Sequence, residues 1–337
     1  MDHTEPESSR QRETTGEHLL LSSLAEFWSL VEPLLVAARP ARICEVGIGQ
    51  GEFTTELLEF CKANSCRYAG IDPRADGLIM QQACGALAEF FQGLSLAMLP
   101  ALSPQDVYFL DGDHNYYTVS NELKLVVQPD RWPLIFVHDV CWPWGRRDQY
   151  CSPESIPEAF RHPYSATQRV APGRGELGPD GFSGEDSVYP YSIALHEGGP
   201  RNGVLTAIED FIHEYGGNEW RLVIVPAVFG LGIMYAPKKC PAELKEMLEQ
   251  LAKSIETLAP MLESLERNRI DLFMNFLRNV KDSVSIHADY RALAEHEAQL
   301  RAEYDRLLRH TKALQQAYDD LKAVAVPQPE TPSMRGL

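Results

Sequence analysis

Apolar segments of strand length alternate with segments of helical pattern along the first half of the chain. Five segments are predicted to be strands: RICEVGIGQG, CRYAGID, EFFQGLS, DVYFLDGD and WPLIFVHDV. The helical patterns lie at residues 19–40, in FTTELLEFCKA, around 75–88 and in NELKLVV. Strands that alternate with helices predict an α/β fold with a parallel sheet covered on both faces.

The pattern changes after the fifth strand. Residues 140–200 are rich in proline, glycine and aromatic residues, which is typical of a lid or binding insertion. A helix is predicted at 202–216, and WRLVIVPAVFGLGIMYA then gives two apolar runs joined at residues 226–230. Because so short a connection leaves no room for a helical crossover, these runs are expected to form an antiparallel hairpin.

Leucines at heptad spacing dominate the chain from residue 241. One series alternates steps of four and three residues, and a second recurs every seven: Leu244, Leu248, Leu251, Ile255, Leu258, Leu262 and Leu265, then Leu293, Leu300, Leu307, Leu314 and Leu321. This spacing predicts a coiled coil, with Pro260 expected to kink or interrupt it. Pairing with a second copy, as a homo-oligomer, and an internal helical hairpin are the two alternatives.

These patterns divide the chain into four regions. We expect a disordered N-terminus at 1–17, a main domain at 18–240, a helical coiled-coil region at 241–325 and a flexible tail at 326–337.

Composition limits the classes of partner and compartment. The net charge of −17 argues against broad binding to nucleic acid or anionic membranes. The seven cysteines form no CxxC pair, and neither a signal peptide nor an apolar run of membrane-spanning length is evident. A cytoplasmic protein with reduced thiols is therefore expected.

A glycine-rich turn follows the first strand in the sequence EVGIGQG. Gly47, Gly49 and Gly51 let the backbone approach a ligand closely, and Asp72 ends the next strand, where an acid can accept hydrogen bonds from ribose hydroxyls. The dinucleotide-dehydrogenase motif GxGxxG fits less well, because the third glycine comes one position too early.

The ExGxGxG motif, the acid of the second strand and the closing hairpin together resemble the class I S-adenosylmethionine-dependent methyltransferases, over about residues 20 to 237. The resemblance implies that Gly47, Gly49 and Gly51 line S-adenosylmethionine and that Asp72 binds its ribose. It further implies that Glu45 supports the loop or the cofactor's amino group, and that Ser95 lies near the adenine.

Polar side chains follow the fourth and fifth strands, in FLDGDH and VHD. Since parallel strands end at one edge of a sheet, Asp111, His114, His138 and Asp139 are expected to converge there, with Asp111 also near the cofactor. Such a group can hold Mg²⁺, which would lower the pKa of a bound hydroxyl.

The DGDH and HD pair resembles the metal-dependent sugar and natural-product O-methyltransferases. That resemblance implies Asp111 and Asp139 as metal ligands, with His138 in place of the usual acid. A metal-free enzyme with His138 or His114 as general base is the alternative. Asp113 is predicted to cap the following helix, and His114 fits a cap and a site residue equally.

Aromatic and basic residues of the insertion suggest an acceptor site. Aromatic faces stack on sugars and guanidinium groups grip anions, so the candidates are Trp142, Arg146, Arg147 and Arg201, although each tryptophan can simply pack on the core. The resemblance to sugar O-methyltransferases, more than any of these residues, implies O-methylation of a saccharide or glycosylated acceptor. The alternative is a coiled-coil scaffold protein of a polysaccharide or glycosyl-transfer assembly.

Overall fold

The computed structural model describes residues 23–74, 87–128, 131–181, 191–216 and 219–325. The predicted disordered N-terminus, the predicted tail and nearly all of the helix expected around 75–88 lie outside the described residues.

Seven strands form the main sheet, and each strand predicted from the sequence is present. The strands are β1 Arg42–Val46, β2 Arg67–Asp72, β3 Ala88–Gln92, β4 Val107–Leu110, β5 Leu134–His138, β9 Arg221–Val225 and β10 Leu231–Tyr235. Their order is β3-β2-β1-β4-β5-β10-β9. The first five are parallel, and β10 runs antiparallel to both β5 and β9. This sheet confirms the predicted class I methyltransferase fold.

Six helices accompany the sheet in the described residues: α1 Trp28–Ala38, α2 Glu52–Asn64, α3 Ser95–Met98, α4 Tyr116–Val126, α5 Val204–Phe211 and α6 Ala242–Ala325. The helix predicted at 19–40 is described only from residue 23, where a 3₁₀ turn at Leu24–Phe27 leads into α1 and the Ser23 hydroxyl accepts the Ala25 N–H. The C-terminal ends of α1 and α2 are each followed by a left-handed residue.

Hydrophobic clusters cover both faces of the sheet. On one face α1, α2 and the start of α6 pack on the strands, with Leu35, Leu57 and Leu244 all buried. On the other face α4 and α5 contribute Leu123 and Ile208, which are also buried. Strands covered on both faces are near-continuously apolar, which explains why β4 and β5 were readily predicted from the sequence.

The 140–200 insertion contains a second, antiparallel sheet in the order β6-β8-β7, built from β6 Gln149–Tyr150, β7 Tyr164–Ser165 and β8 Ser192–Ala194. Trp144 is buried in the hydrophobic cluster that includes Leu123 and Ile208, as the packing alternative for the insertion tryptophans anticipated.

Helix α6 is continuous for 84 residues and contains Pro260, so of the predicted kink or interruption the interruption does not occur; one missing N–H bond does not end the helix. The compact unit that contains the sheet extends to Met274, and a second unit begins at Asn275. The unit extends past the expected boundary at residue 240 because Leu244, Leu248 and Ile270 are buried. No helix among the described residues is long and apolar enough to span a membrane.

Candidate functional site

The glycine turn lies against the end of β4. Gly47 has φ +87°, and a Cβ at this position would lie 2.0 Å from the Asp111 carbonyl oxygen. Gly49, at φ +59°, has open space where its Cβ would be. Gly51, at φ +81°, precedes the first residue of α2. The turn therefore packs directly on the strand that carries Asp111 and leaves its outer side open to a ligand.

Asp72 and Glu45 hold this turn in different ways. The Asp72 carboxylate accepts the N–H groups of Ile48 at 2.9 Å and Gly49 at 3.4 Å, and that of Arg74 at 2.8 Å. Glu45 is buried behind the turn and accepts hydrogen bonds from the hydroxyls of Thr54 and Tyr68. Burial raises the pKa of Glu45 to about 8. Glu45 thus supports the start of α2 from inside the core.

Ser95 lies at the first position of α3 and contacts a residue that the sequence analysis missed. Its hydroxyl hydrogen-bonds to Glu122 of α4, which is only 1% exposed. Among the described residues Glu122 Oε1 has no hydrogen-bond partner, and burial raises the pKa of this carboxyl to about 8. Nothing in the sequence pattern distinguishes Glu122 from a solvated helical glutamate.

The four residues predicted to converge do so at the carboxyl ends of β4 and β5. His138 Nδ1 lies 3.0 Å from Asp111 Oδ1 and 3.8 Å from Asp139 Oδ2. His114 Nε2 lies 3.1 Å from Asp111 Oδ1, and its Nδ1 lies 3.1 Å from Asp139 Oδ2. Two imidazoles and two carboxylates therefore form one contiguous cluster.

Backbone and insertion groups orient the two rings. His138 Nε2 is 2.9 Å from the Val228 carbonyl oxygen, so it must carry a proton and donate it. His114 Nδ1 is 2.8 Å from Gln149 Oε1, which also acts as an acceptor. Neither Val228 nor Gln149 was predicted, since a carbonyl can come from any residue and Gln149 carries no motif.

The carboxylates shift the titration of both histidines. Burial alone lowers the histidine pKa, but Asp111 and Asp139 outweigh it and raise the pKa of His138 to about 9. Asp139 and Asp111 likewise overcome burial and raise the pKa of His114 to about 10. For Asp111, burial raises the pKa, and the two histidines more than reverse this and hold the pKa at about 2. Without a bound cation both histidines are therefore protonated at neutral pH, and an imidazolium cannot accept a substrate proton.

A subset of the cluster has the donor set of a divalent-cation site. One ligand atom each from Asp111, His138 and Asp139 lie within 4.8 Å of one another. Asp139 has a left-handed backbone, with φ +61°, and its buried Oδ1 lacks a hydrogen-bond partner among the residues described. A metal-binding histidine commonly donates its other ring N–H to a carbonyl, as His138 does to Val228. These features fit a hard cation bound through two carboxylates and His138 Nδ1.

Asp113 does not cap helix α4, contrary to prediction. The cap is Asn115, whose side-chain oxygen accepts the Thr118 N–H at 2.8 Å. Asp113 instead accepts hydrogen bonds from the Asn115 amide and from the Cys151 N–H at 2.9 Å, because it is two positions before the cap. It thereby ties the DGDH segment to the insertion.

Two of the predicted acceptor residues, Arg146 and Arg147, form hydrogen bonds within the protein. Arg147 is fully buried and donates to the carbonyls of Ala194 and Gly175. Arg146 forms a two-pronged ion pair with Glu209 on α5. Both guanidinium groups thus make contacts within the protein that the sequence analysis did not anticipate.

The other two predicted acceptor residues remain at the surface or near it. Arg201 is exposed and lies over the Phe160 ring at 5.6 Å. Trp142 is half-buried and packs against the hydrophobic cluster on the α4 face. Its position in the segment that follows Asp139 keeps it close in sequence to the cluster.

No protein-family model and no curated protein matches the sequence. Among solved structures, the chain is similar to the O-methyltransferase TomG of Streptomyces achromogenes, in complex with S-adenosylmethionine, at 14% identity and a TM-score of 0.36, over 64% of this chain and 82% of that one. It is also similar to the S-adenosylhomocysteine-bound methyltransferase PaMTH1 of Podospora anserina, at 13% identity and a TM-score of 0.34, over 64% and 88% of the two chains. Both likenesses are distant.

Proposed function

We propose that this protein is an S-adenosylmethionine-dependent O-methyltransferase. The observation that carries the proposal is the convergence, at one edge of a β3-β2-β1-β4-β5-β10-β9 sheet, of the open glycine turn and the Asp111 cluster. Open α/β sheets bind ligands at the carboxyl ends of their strands, which is where both features lie.

The residues around the glycine turn are suited to binding S-adenosylmethionine. The open side of Gly49 admits a ligand close to the backbone, and the 3.4 Å contact of Asp72 with the Gly49 N–H is weak enough for ribose hydroxyls to displace. Ser95 and Glu122 would lie toward the adenine. The bound cofactor supplies a methyl group on a reactive sulfonium, so the protein's contribution is mainly alignment of the acceptor oxygen.

Of the two mechanisms left open by the sequence, the geometry favours a metal. Both ring nitrogens of each histidine face acceptors, so neither ring presents a lone pair to a substrate hydroxyl. Asp111, His138 and Asp139 would hold Mg²⁺ once His138 Nδ1 gives up its proton. The ion would bind acceptor oxygens and lower the pKa of the hydroxyl that is methylated.

We further propose a saccharide or glycosylated molecule as the acceptor. The support is the insertion, which leaves the sheet directly after His138 and Asp139 and contacts the cluster through Gln149. Vicinal sugar hydroxyls are oxygen ligands of the kind that Mg²⁺ accepts. Trp142 and Arg201 are the residues retained as acceptor contacts.

Calorimetry on the full chain tests the cofactor and the metal separately. We expect S-adenosylhomocysteine to bind the wild type, Asp72→Ala to lose that binding, and Asp111→Asn to keep it but lose a magnesium signal. Asp271→Asn, an exposed acid on α6, is the control. Absence of cofactor binding by the wild type would overturn the proposal.

A second function, as a coiled-coil interaction protein, has one observation in its favour. Leu293, Leu300, Leu307 and Leu314 are all more than half exposed on α6. Exposed leucines at heptad spacing indicate a helical partner, and we propose a second copy of this chain. The scaffold function alone would stand if the protein oligomerised but bound no cofactor.

A further inference from the structure

The turn between β9 and β10 has an unusual backbone for its residues. Gly230 N–H donates to the Ala227 carbonyl at 2.9 Å, and the two residues between them, Val228 and Phe229, have φ of +48° and +63°. Turns with two left-handed central residues normally use Asn-Gly or Asp-Gly. A β-branched valine and a phenylalanine are strained there, so something outside the turn must stabilise it.

Glu266 of helix α6 is placed to do so. Its Oε2 accepts the Val228 N–H at 3.1 Å and its Oε1 accepts the Phe229 N–H at 2.9 Å. Arg269 donates to the same carboxylate at 2.7 and 2.6 Å and lies 4.8 Å from the Phe229 ring centre. Hydrogen bonds to an ionised carboxylate are stronger than neutral ones, so this clamp is well suited to holding a strained turn.

This turn also accepts hydrogen bonds from the residues on either side of Asp139. Its three consecutive carbonyls accept from the other side: Val228 from His138 Nε2 at 2.9 Å, Phe229 from the Cys141 N–H at 2.8 Å and Gly230 from the Val140 N–H at 3.3 Å. Asp139, itself left-handed, lies within this stretch. The orientation of His138 and the path of the backbone through Asp139 thus depend on where the turn lies.

We propose that Glu266 is a positioning residue for the cluster of Asp111, His138 and Asp139, acting through the Val228–Gly230 turn. The Glu266 carboxylate accepts the N–H groups of Val228 and Phe229, and its charge also lies near enough to Asp139 to interact with it electrostatically. It fixes the carbonyls that orient His138 and flank Asp139. The proposal rests on the proposed function where it concerns metal binding, but the mechanical link from helix to turn does not.

The test compares Glu266→Gln with the wild type in the full chain, with Glu256→Gln, an exposed acid on the same helix, as control. A glutamine can accept from only one of the two N–H groups and turns its NH₂ toward the other. Outer-shell partners of a metal site typically contribute about 10- to 100-fold to affinity. We expect Mn²⁺ affinity, followed by electron paramagnetic resonance, to fall at least about tenfold, with S-adenosylhomocysteine affinity unchanged.

Amide hydrogen exchange of Val140 and Cys141 provides a readout that needs no ligand. These two N–H groups donate to the turn, so we expect them to exchange faster in Glu266→Gln and not in the control. Unchanged exchange would overturn the proposal. Faster exchange in a protein whose wild type binds neither Mn²⁺ nor S-adenosylhomocysteine would leave the positioning role standing and overturn the proposed function instead.

A rescue variant separates positioning from general loss of stability. Asparagine tolerates the left-handed conformation that valine resists. In a Val228→Asn background the turn needs the clamp less, so adding Glu266→Gln should cost a smaller factor in Mn²⁺ affinity than it does in the wild type. An equal or larger factor would contradict the strain argument.

Discussion

Glu122 of α4 is a buried carboxyl group, and its protonation state leads to a prediction about how stability depends on pH. Burial raises its pKa from 4.5 to about 8 in the folded protein. Between these values the folded state binds more protons than the unfolded state, so its contribution to stability is present below about pH 4.5 and falls as pH rises toward 8.

Glu122→Gln removes this titration. We expect the wild type to lose stability relative to the variant between the two pKa values, by up to about 1.4 kcal/mol per pH unit. Urea unfolding at several pH values measures the difference. Parallel stability curves for the two proteins would show that Glu122 ionises normally.

The glycine turn offers a matched pair of substitutions. A Cβ at Gly47 would collide with the Asp111 carbonyl at 2.0 Å, whereas one at Gly49 meets nothing within 4 Å. Both have positive φ, so Gly49→Ala should cost only the backbone strain, about 1–2 kcal/mol, and Gly47→Ala several kcal/mol more. Chemical denaturation of both variants is the measurement, and equal costs would contradict the close packing of the turn on β4.

The sequence pattern identified the members of the candidate site that lie at strand ends. It did not identify the residues that contact them from segments far away in the sequence. Asp111, His138 and Asp139 were predictable because strand ends in a parallel sheet meet at one edge. Gln149, Val228 and Glu266 were not, since their contacts depend on the fold of the insertion, the hairpin and α6. Local sequence also did not reveal that Arg147 is buried and donates to two backbone carbonyls.

At the scale of elements, the first residues of α4 connect this helix to the DGDH segment, and the connection can be tested by mutation. Asn115 is fully buried, caps the helix through the Thr118 N–H and donates to Asp113 at 2.7 Å. Asn115→Ala removes both bonds and leaves the Asp113 carboxylate short of a donor, so we expect a loss of about 1–2 kcal/mol. Urea denaturation measures it.

The control for this substitution is Asn64→Ala, at the exposed end of α2, which should change stability by much less. A cap whose removal costs no more than this control would not be the element that starts α4.

Strands and their order were more predictable than helix packing. Apolar runs of strand length, separated by helices, leave few topologies for a parallel sheet. Heptad spacing in α6, by contrast, does not say what covers the leucines. Leu244 and Leu248 pack into the core of the sheet domain, while Leu258 and Leu265 of the same series are 42% and 57% exposed. Heptad periodicity therefore predicts which side of α6 is apolar, but only the folded structure shows what packs against that side.

At the scale of the whole molecule, the second heptad series predicts self-association. Leu300 and Leu307 are 55% and 61% exposed, and a second helix would cover them. We expect the wild type to be oligomeric at micromolar concentration by sedimentation, and Leu300→Asp with Leu307→Asp to reduce it to monomers by placing charges in the seam.

Ala302→Asp with Arg309→Asp places the same new side chains on the outward face of the heptad and should leave the oligomer intact. A monomeric wild type would contradict pairing with a second copy. Oligomers that survive the leucine substitutions would mean that the chain associates through another surface.

The contact of Glu266 with the Val228–Phe229 turn has a consequence for how such a chain can evolve. Glu266, which binds the hairpin turn, is encoded well after β10. It lies in α6, a helix that the sequence alone would suggest is a separate C-terminal extension. A gene shortened at residue 240 would still encode all the strands found in the described part of the chain, yet its product would lack that acid. We therefore expect the sheet domain and the first part of α6 to be inherited, duplicated or lost together, with recombination tolerated only beyond Met274.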